Sequence, residues 1–342
     1  MKKKLTLCLT AALLAGLLSG CVREESLPAE SEAPERTEQV VLYAAMREDV
    51  LQALEEDFEA RYPQVELTCY NAATNTVLSR ILSEAQTGQV AADVLWVGDE
   101  RDYEEFKELD VLRKYTSPQV KAAVDDRYKD PEGYYTAGRL AAVGIAVNND
   151  LVSPNRRPKT WMGMVDPEWE GKIAVVDPGL SPAADYWACA LLTSDNKDYG
   201  SYYARRLKRS QCQLESSFSS LLRKVQSGER AMGVCPDYLA EELIGEGAPI
   251  TFLYPTDVVA VGTPLALVKD SANEENGQLL YDYLLSQEGQ QLMADNGLVS
   301  VRNDVEQRFA PDAIAAMAMP CDAKALSENR DKALAEFTKT LQ

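Results

Sequence analysis

The sequence contains no histidine in its 342 residues, and this absence excludes several common kinds of site. Without imidazole there is no Ser-His-Asp triad, no Cys-His nucleophile pair and no histidine-ligated zinc. Only seven cysteines are present, and no two have the C-x-x-C spacing of a metal or redox motif. We therefore expect no metal and no cofactor.

Basic residues are also scarce, with 35 Lys+Arg against 54 Asp+Glu and a net charge of −19. The phosphates of nucleic acid would repel such a chain, so we expect no nucleic-acid partner. The surplus of carboxylates favours solubility, although it leaves a cationic ligand open. The proportion of hydrophobic residues, 46%, is typical of a soluble globular protein.

The apolar stretch at residues 5–19 is too short to span a bilayer as a helix. It follows three lysines and ends in LLSGC (residues 17–21), which resembles the bacterial lipobox. The resemblance implies a signal peptide over residues 1–20 and a lipid on Cys21, which would hold the protein on the extracytoplasmic face of the cell membrane. The alternative is an ordinary secretory peptide with a chance cysteine.

Residues 21–39 are acidic, contain two prolines and lack aromatic residues. Such a segment buries too little apolar surface to fold, so we predict a disordered tether. Beyond the predicted signal peptide and Cys21, five cysteines remain: Cys69, Cys189, Cys212, Cys235 and Cys321. An odd number leaves at least one free thiol, and we expect free cysteines packed as small apolar side chains.

Predicted strands and helices alternate along the rest of the chain. Short apolar runs at residues 40–45, 65–70 and 93–97 predict strands, and helical spacing predicts helices at 49–62 and 75–86. A similar alternation follows between residues 172 and 295. This order favours an α/β fold with parallel strands and crossover helices.

The loops that follow these strands hold the candidate binding residues, because open α/β sheets bind ligands at the carboxyl ends of their strands. Thr74 or Asn75 is predicted to cap one helix, and Ser181 followed by Pro182 to begin another. A helix N-terminus offers unpaired N–H groups that suit an anion. Arg47 follows the first strand and has two possible roles. It either binds the carboxylate or phosphate group of a ligand, or it forms an ion pair with Glu48 or Asp49.

Six segments together resemble a known family, in their order and spacing. They are VLYAA (41–45), LSRILSEA (78–85), NNDLV (148–152), DPEWEGKIA (166–174), SGERAMG (227–233) and LSQEGQ (285–290). The chain is similar here to the solute-binding proteins of bacterial ABC importers, in the group of ferric-iron, phosphonate and hexose-phosphate binders.

The resemblance implies a two-lobed type II periplasmic-binding-protein fold, in which each lobe is a mixed, mostly parallel sheet flanked by helices. Lobe 1 would comprise residues 40–139 and 256–310, lobe 2 residues 140–255, and residues 311–342 a C-terminal helical segment. Two crossover segments are expected near residues 138–143 and 255–261. The implied protein is a non-enzymatic monomer that closes around a small solute and delivers it to an ABC permease in the membrane.

The resemblance also bears on the solute. Iron binders of this group commonly carry an adjacent tyrosine pair where this chain has only Tyr238, flanked by Asp237 and Leu239. The pair Tyr202–Tyr203 lies in a helix-like run and is interpreted as a packed or exposed helix face. We therefore expect a small organic anion, a phosphate ester or phosphonate. The candidate ligand-binding residues are Arg47, Thr74, Asn75, Thr76, Asp99, Ser181, Asp185, Tyr186, Asp237 and Tyr238.

Other functions stay open on the sequence. The alternatives are ferric iron and a polyamine-like cation, and the cation would have Asp99, Asp185 and Asp237 as its partners. A binder that presents its ligand to a sensor would have the same fold. A secreted hydrolase that uses two carboxylates is the remote alternative.

Overall fold

One mixed sheet runs through the computed structural model, which describes residues 38–121, 123–193, 197–307, 311–319 and 323–341. The predicted signal peptide, Cys21 and nearly all of the predicted tether lie outside the described residues. No helix of the described part is both long and apolar enough to cross a membrane. The strands are β1 (Glu38–Ala44), β2 (Val65–Asn71), β3 (Val94–Trp96), β4 (Leu112–Arg113), β5 (Tyr135–Asn148), β6 (Ile173–Val176), β7 (Gln213–Glu215), β8 (Met232–Pro236), β9 (Ile250–Leu253) and β10 (Val259–Val268).

Helices cover both faces of this sheet. They are α1 (Glu48–Arg61), α2 (Thr74–Thr87), α3 (Glu100–Glu108), α4 (Trp161–Met164), α5 (Pro182–Thr193), α6 (Lys197–Arg209), α7 (Phe218–Gln226), α8 (Asp237–Gly245), α9 (Glu274–Leu284), α10 (Gln287–Asp295), α11 (Pro311–Met317) and α12 (Ala323–Leu341). Short 3-10 turns lie at Pro118–Val120, Asp126–Tyr128, Pro154–Arg156, Pro167–Trp169 and Pro178–Leu180. The strands and helices predicted from periodicity are confirmed, with ends that differ by a few residues.

Strand order is β2-β1-β3-β10-β5-β8-β6-β7, with β4 on β10 and β9 on β5. Strands β1, β2 and β3 are parallel, as are β6, β7 and β8. The long strands β5 and β10 are antiparallel and join these two halves of the sheet. Every residue of β5 is buried. The predicted crossover segments fall in β5 and at the start of β10, and the lobe boundaries stay a prediction.

Hydrophobic clusters lie on either side of the β5–β10 pair. The first half packs β1, α1 and α9 through Leu42, Phe58 and Tyr281, all at most 1% exposed. The second half packs α4, α5 and α6 around Trp161 and Trp187, whose ring centroids are 5.7 Å apart. Helix α12 joins the second cluster through Phe337, a fully buried side chain whose ring centroid is 5.4 Å from that of Trp187.

The two predicted helix starts have different outcomes. Helix α5 begins at Pro182, directly after Ser181, as predicted. The prediction that Thr74 or Asn75 caps α2 is wrong, because Ala73 occupies the N-cap position and Thr74 is the first helical residue. The Ala73 carbonyl already accepts from the amides of Thr76 (2.8 Å) and Val77 (3.1 Å).

Four of the five predicted free cysteines, Cys69, Cys189, Cys212 and Cys235, are free thiols. Cys189 and Cys235 are buried and the other two are partly buried. Burial raises the pKa of the Cys69, Cys189 and Cys212 thiols to about 12, so these groups are protonated and unreactive at neutral pH. Cys321 lies outside the described residues.

Candidate ligand-binding cleft

A cavity lies over the β5–β10 pair, between the two halves of the sheet, and we call it the cleft cavity. Its floor is one face of the two strands, where Ala141 is paired with Val261 and Arg139 with Thr263. Alternate residues of a strand share a face, which is why Arg139, Ala141 and Val143 reach this floor together. The volume is about 190 Å³. The walls come from Ala45, Thr74, Gly98 and Asp99 on one side and Ser181, Pro182, Ala183, Tyr186, Phe218, Pro236 and Tyr238 on the other.

A second cavity of about 300 Å³ adjoins the first, and we call it the loop cavity. It shares Ala45, Thr74, Arg139 and Tyr238 with the cleft cavity. The rest of its lining comes from the loops after β1 and β2 and from near the end of α10: Met46, Arg47, Asn71, Ala72, Ala73 and Leu298. Arg139 and Tyr238 therefore stand where the two cavities meet.

Arg139 is a candidate residue that the sequence reasoning missed. Its side chain lies on β5, and the residue is only 8% exposed. The Nε atom is buried without a hydrogen-bond partner, and no carboxylate of the described residues forms an ion pair with this guanidinium. The guanidinium carbon lies 5.3 Å from the centroid of the Tyr238 ring. The sequence does contain one signal for this residue, because Arg139 is the single arginine within the apolar run of residues 137–147. A buried charge without a partner costs free energy, so an arginine in such a run indicates a functional role.

Arg47, which the sequence analysis favoured as the anion ligand, lines the loop cavity but is already paired. Its Nε donates to Asp49 Oδ1 (3.1 Å), a second nitrogen also contacts Asp49, and Nη1 donates to the Asn296 carbonyl (3.2 Å). The structure therefore has the pairing with Asp49 that the sequence analysis gave as the alternative.

Two helix N-termini from opposite sides reach the cleft cavity. The amides of Thr74 and Asn75 at the start of α2 donate to no acceptor in the described part of the chain. The same holds for the amides of Ala183 and Ala184 at the start of α5, whose preceding residue Ser181 also lines the cavity. Helix N-termini carry partial positive charge, so both favour an anion between them. Asn75 and Thr76 do not line the cavity themselves.

Asp99 and Asp185 belong to a buried ion cluster, which we call the Arg101 cluster. Asp99 accepts two hydrogen bonds from Arg101, each 2.8 Å. Asp185 Oδ2 lies 3.4 Å from Arg101 Nη1 and 2.7 Å from Arg330 Nε. Arg101 is 5% exposed and Asp185 is 2% exposed. The cluster thus links α3 of the first half, α5 of the second half and α12, and its arginines occupy both carboxylates.

Asp237 and Tyr238 begin helix α8, directly after β8. The Asp237 Oδ1 atom accepts from the Tyr238 amide (2.8 Å), and the carboxyl does not line either cavity. Burial raises the pKa of Asp237 to about 6, against the opposing effect of Arg139. Tyr238 lines both cavities. Tyr186 lines the cleft cavity with its ring under the Arg101 guanidinium (5.0 Å) and its hydroxyl near Glu100.

Glu100 lies beside the cleft cavity with its carboxyl against strand β10. A Cβ placed on Gly262 would lie only 2.8 Å from Glu100 Oε1, and Oε2 is 3.3 Å from the Tyr186 hydroxyl. Removal from water and the neighbouring Asp99 carboxylate raise the pKa of Glu100 from 4.5 to about 7. Since the folded state holds this proton more tightly than the unfolded state, the group stabilises the fold at low pH. That contribution is lost as the pH rises from 4.5 to about 7.

Glu100→Gln should therefore raise the thermal unfolding midpoint at pH 8 and change it little at pH 5. An increase of about 2–4 °C at pH 8 is expected, the shift that about 1 kcal/mol produces in a large domain. Thermal unfolding at both pH values measures this, with the exposed Glu275→Gln as the matched control. An equal shift at both pH values would contradict the assignment.

The described residues offer little for a metal ion. They contain no group of three or more Cys, Asp or Glu side chains arranged to hold one. Tyr203 is fully buried in the α4–α6 cluster and Tyr202 is 48% exposed on α6, so this pair does not reach the cleft. Tyr238 is the phenol that stands beside Arg139.

The comparisons with known proteins agree with this architecture. Residues 91–320 match the model of the family described as bacterial extracellular solute-binding protein. An uncharacterised protein of Haemophilus influenzae is 26% identical over 227 residues, which cover 63% of this chain and 64% of that relative. The chain thus spans slightly less than two thirds of the length of this relative.

Solved structures share the two-lobed fold at low sequence identity. Iron-bound HitA of Pseudomonas aeruginosa superposes with a TM-score of 0.75 at 18% identity, covering 89% of this chain and 99% of that one. AfuA of Actinobacillus pleuropneumoniae, with fructose-6-phosphate bound, gives 0.73 at 21% identity, covering 89% and 98%. The fold and resemblance predicted from the sequence are confirmed, and the chain belongs to the family of bacterial extracellular solute-binding proteins.

Proposed function

We propose that this protein captures a small organic anion, a phosphate ester or phosphonate, in the cleft and delivers it to an ABC permease. The observation that carries the proposal is Arg139, a buried guanidinium with no ion-pair partner among the described residues, placed where two cavities meet. Burial of a cation without a partner is costly, and an anionic ligand would remove that cost. An arginine also matches the oxygens of a phosphate with two parallel hydrogen bonds.

The helix N-termini support the same ligand. The free amides at the start of α2 and of α5 stand on opposite sides of the cleft cavity, so an anion held by Arg139 can accept from both halves. Closure of the two lobes on the ligand would complete this set of donors. Thr74, Ser181 and Tyr238 add hydroxyl groups to the same lining.

A cationic solute has less support in the structure. Of the three carboxylates that would bind it, Asp99 and Asp185 are occupied by Arg101 and Arg330. Asp237 is buried and lines neither cavity. The net charge of −19 slows the encounter with an anion, but affinity comes from the groups inside the cleft.

Binding of phosphate esters, of ferric iron and of a polyamine to the folded body tests this proposal. We expect a phosphate ester to raise the unfolding midpoint, because a ligand that binds only the folded state stabilises it. We also expect it to reduce the radius of gyration in small-angle scattering. Stabilisation by a polyamine alone, or a coloured ferric complex, would contradict the proposal.

We propose further that the protein is held outside the cytoplasm by the lipid on Cys21, as a monomer without catalytic activity. The support is the lipobox-like sequence and the acidic segment that follows it. Cys21→Ala should move the protein from the membrane fraction to the soluble extracytoplasmic fraction. A variant that stays in the membrane fraction, with no acyl mass on the wild type, would refute the anchor.

A further inference from the structure

The lining of the cleft cavity away from Arg139 is mostly apolar. Six side chains supply this part: Ala141, Val143, Pro182, Phe218, Pro236 and Val261. They come from β5, β10, α5, α7 and the end of β8, so several elements of the fold contribute to one apolar surface. A ligand group that enters here leaves water for contact with hydrocarbon.

Two polar side chains of the same cavity, Asp99 and Tyr186, are occupied by the protein. The Asp99 carboxylate accepts two hydrogen bonds from the Arg101 guanidinium, and the Tyr186 hydroxyl donates a hydrogen bond to the Glu100 carboxyl. Hydroxyl groups that have no such partner in the described residues belong to Thr74, Ser181, Tyr238 and Thr263. Thr74 and Tyr238 also line the loop cavity beside Arg139, Thr263 is paired with Arg139 across β5 and β10, and Ser181 directly precedes α5. The free polar groups therefore lie around Arg139 and at the two helix N-termini, which are the groups assigned above to the anion.

The other polar side chains of the loop cavity, Asn71 and Arg47, have partners within the protein. The side-chain oxygen of Asn71 accepts a hydrogen bond from the backbone N–H of Met46, and its side-chain nitrogen donates to the backbone carbonyl of Met46, each at 3.1 Å. The Arg47 guanidinium is held by Asp49 and the Asn296 carbonyl. A sugar ring placed against the apolar part of the cleft cavity would bury hydroxyls against Val143, Phe218 and Val261 without protein partners, and each such hydroxyl weakens binding.

We propose that the solute is a phosphate or phosphonate with a compact apolar body, about the size of one six-membered ring, rather than a polyhydroxylated sugar phosphate. This inference rests on the function proposed above. The anionic group binds at Arg139 and the helix N-termini, and the apolar body lies against Phe218, Val143 and Val261. The volume of about 190 Å³ fits this body, since an apolar cavity of about 150 Å³ holds benzene.

Calorimetry with three phosphates tests the inference: phenyl phosphate, glucose 6-phosphate and inorganic phosphate. We expect phenyl phosphate to bind about tenfold or more tightly than the other two, because only its ring gains from the apolar lining. Equal affinities, or tighter binding of glucose 6-phosphate, would overturn this inference and leave the proposed anion function intact. If none of the three binds, both fail.

A variant then locates the body of the ligand. Phe218→Ala truncates a partly exposed ring at the start of α7, so the fold should tolerate it. We expect it to weaken phenyl phosphate about tenfold and to leave inorganic phosphate unchanged. Tyr202→Ala, which removes an exposed ring on α6 away from the cleft, is the matched control. Equal weakening of both phosphates by Phe218→Ala, or no weakening of phenyl phosphate, would contradict the placement.

Discussion

Arg139→Met should weaken binding of a phosphate ester by about 10- to 150-fold, which corresponds to about 1.5–3 kcal/mol for hydrogen bonds to a charged group. The methionine keeps most of the side-chain length and removes the charge and all five donors. Isothermal titration calorimetry on the wild type and the variant measures the change. We expect it to exceed the effect of any other single substitution in the lining, because Arg139 is the buried unpaired cation there.

The unliganded Arg139→Met protein should be at least as stable as the wild type. The wild-type guanidinium is removed from bulk water without an ion-pair partner in the described residues, and a neutral side chain of similar volume avoids this penalty. Urea unfolding without ligand tests this. Loss of affinity together with full stability would separate a binding role from a structural one.

The matched control is Arg47→Met. Arg47 lines the same loop cavity, but its guanidinium is bound to Asp49 and to the Asn296 carbonyl. We therefore expect its replacement to change affinity by less than about threefold, the small effect typical of a partly exposed ion pair. If Arg47→Met abolishes binding and Arg139→Met does not, the assignment of the anion site is wrong.

Arg101→Met should give the largest loss of stability among the substitutions considered. Arg101 is 5% exposed and holds Asp99 and Asp185, which are themselves 6% and 2% exposed. Removal of one partner from a buried ion pair leaves an uncompensated charge and lowers the free energy of unfolding by about 3–5 kcal/mol. Equilibrium unfolding in urea measures the difference.

Two comparisons sharpen this prediction. Arg61→Met removes an exposed ion pair with Asp57 on α1 and should lower the free energy of unfolding by less than about 1 kcal/mol. Arg101→Met combined with Asp99→Asn should recover part of the loss, because the stranded Asp99 carboxylate is then neutral and Asp185 keeps its contact with Arg330. A loss for Arg101→Met no larger than that for Arg61→Met would show that the cluster does not stabilise the fold.

Local elements could be predicted because their signals are local. The helical spacing in α1 and α2 and the apolar runs of β1, β2 and β3 place these elements within a few residues of their observed ends. Strand β5 was less evident: its run of alanine, glycine and valine has neither the period of a helix nor the alternation of a half-buried strand. Only its burial on both faces explains that composition.

Part of the candidate site could also be predicted, because loops at the ends of predicted strands are a local signal. The candidates came mainly from loops at strand ends, and five of them, Thr74, Asp99, Ser181, Tyr186 and Tyr238, line the cleft cavity. Arg139 was missed because it lies within a strand of the cleft floor and not in a loop. Asp185 was a candidate partner of a cationic ligand, but its carboxylate is bound by Arg101 and Arg330, which are 84 and 145 residues away in sequence.

The sequence by itself determined the lack of histidine chemistry, the alternation of strands and helices, the start of α5 at Ser181–Pro182 and the family resemblance. The tertiary structure decided which arginine is free: Arg47 is neutralised by a neighbour two residues away, and Arg139 is left unpaired by the register of β5 against β10. The physical reason is that an ion pair depends on distance in space. The pairing of distant strands, which no local pattern encodes, fixes which charges meet and which are buried without a partner.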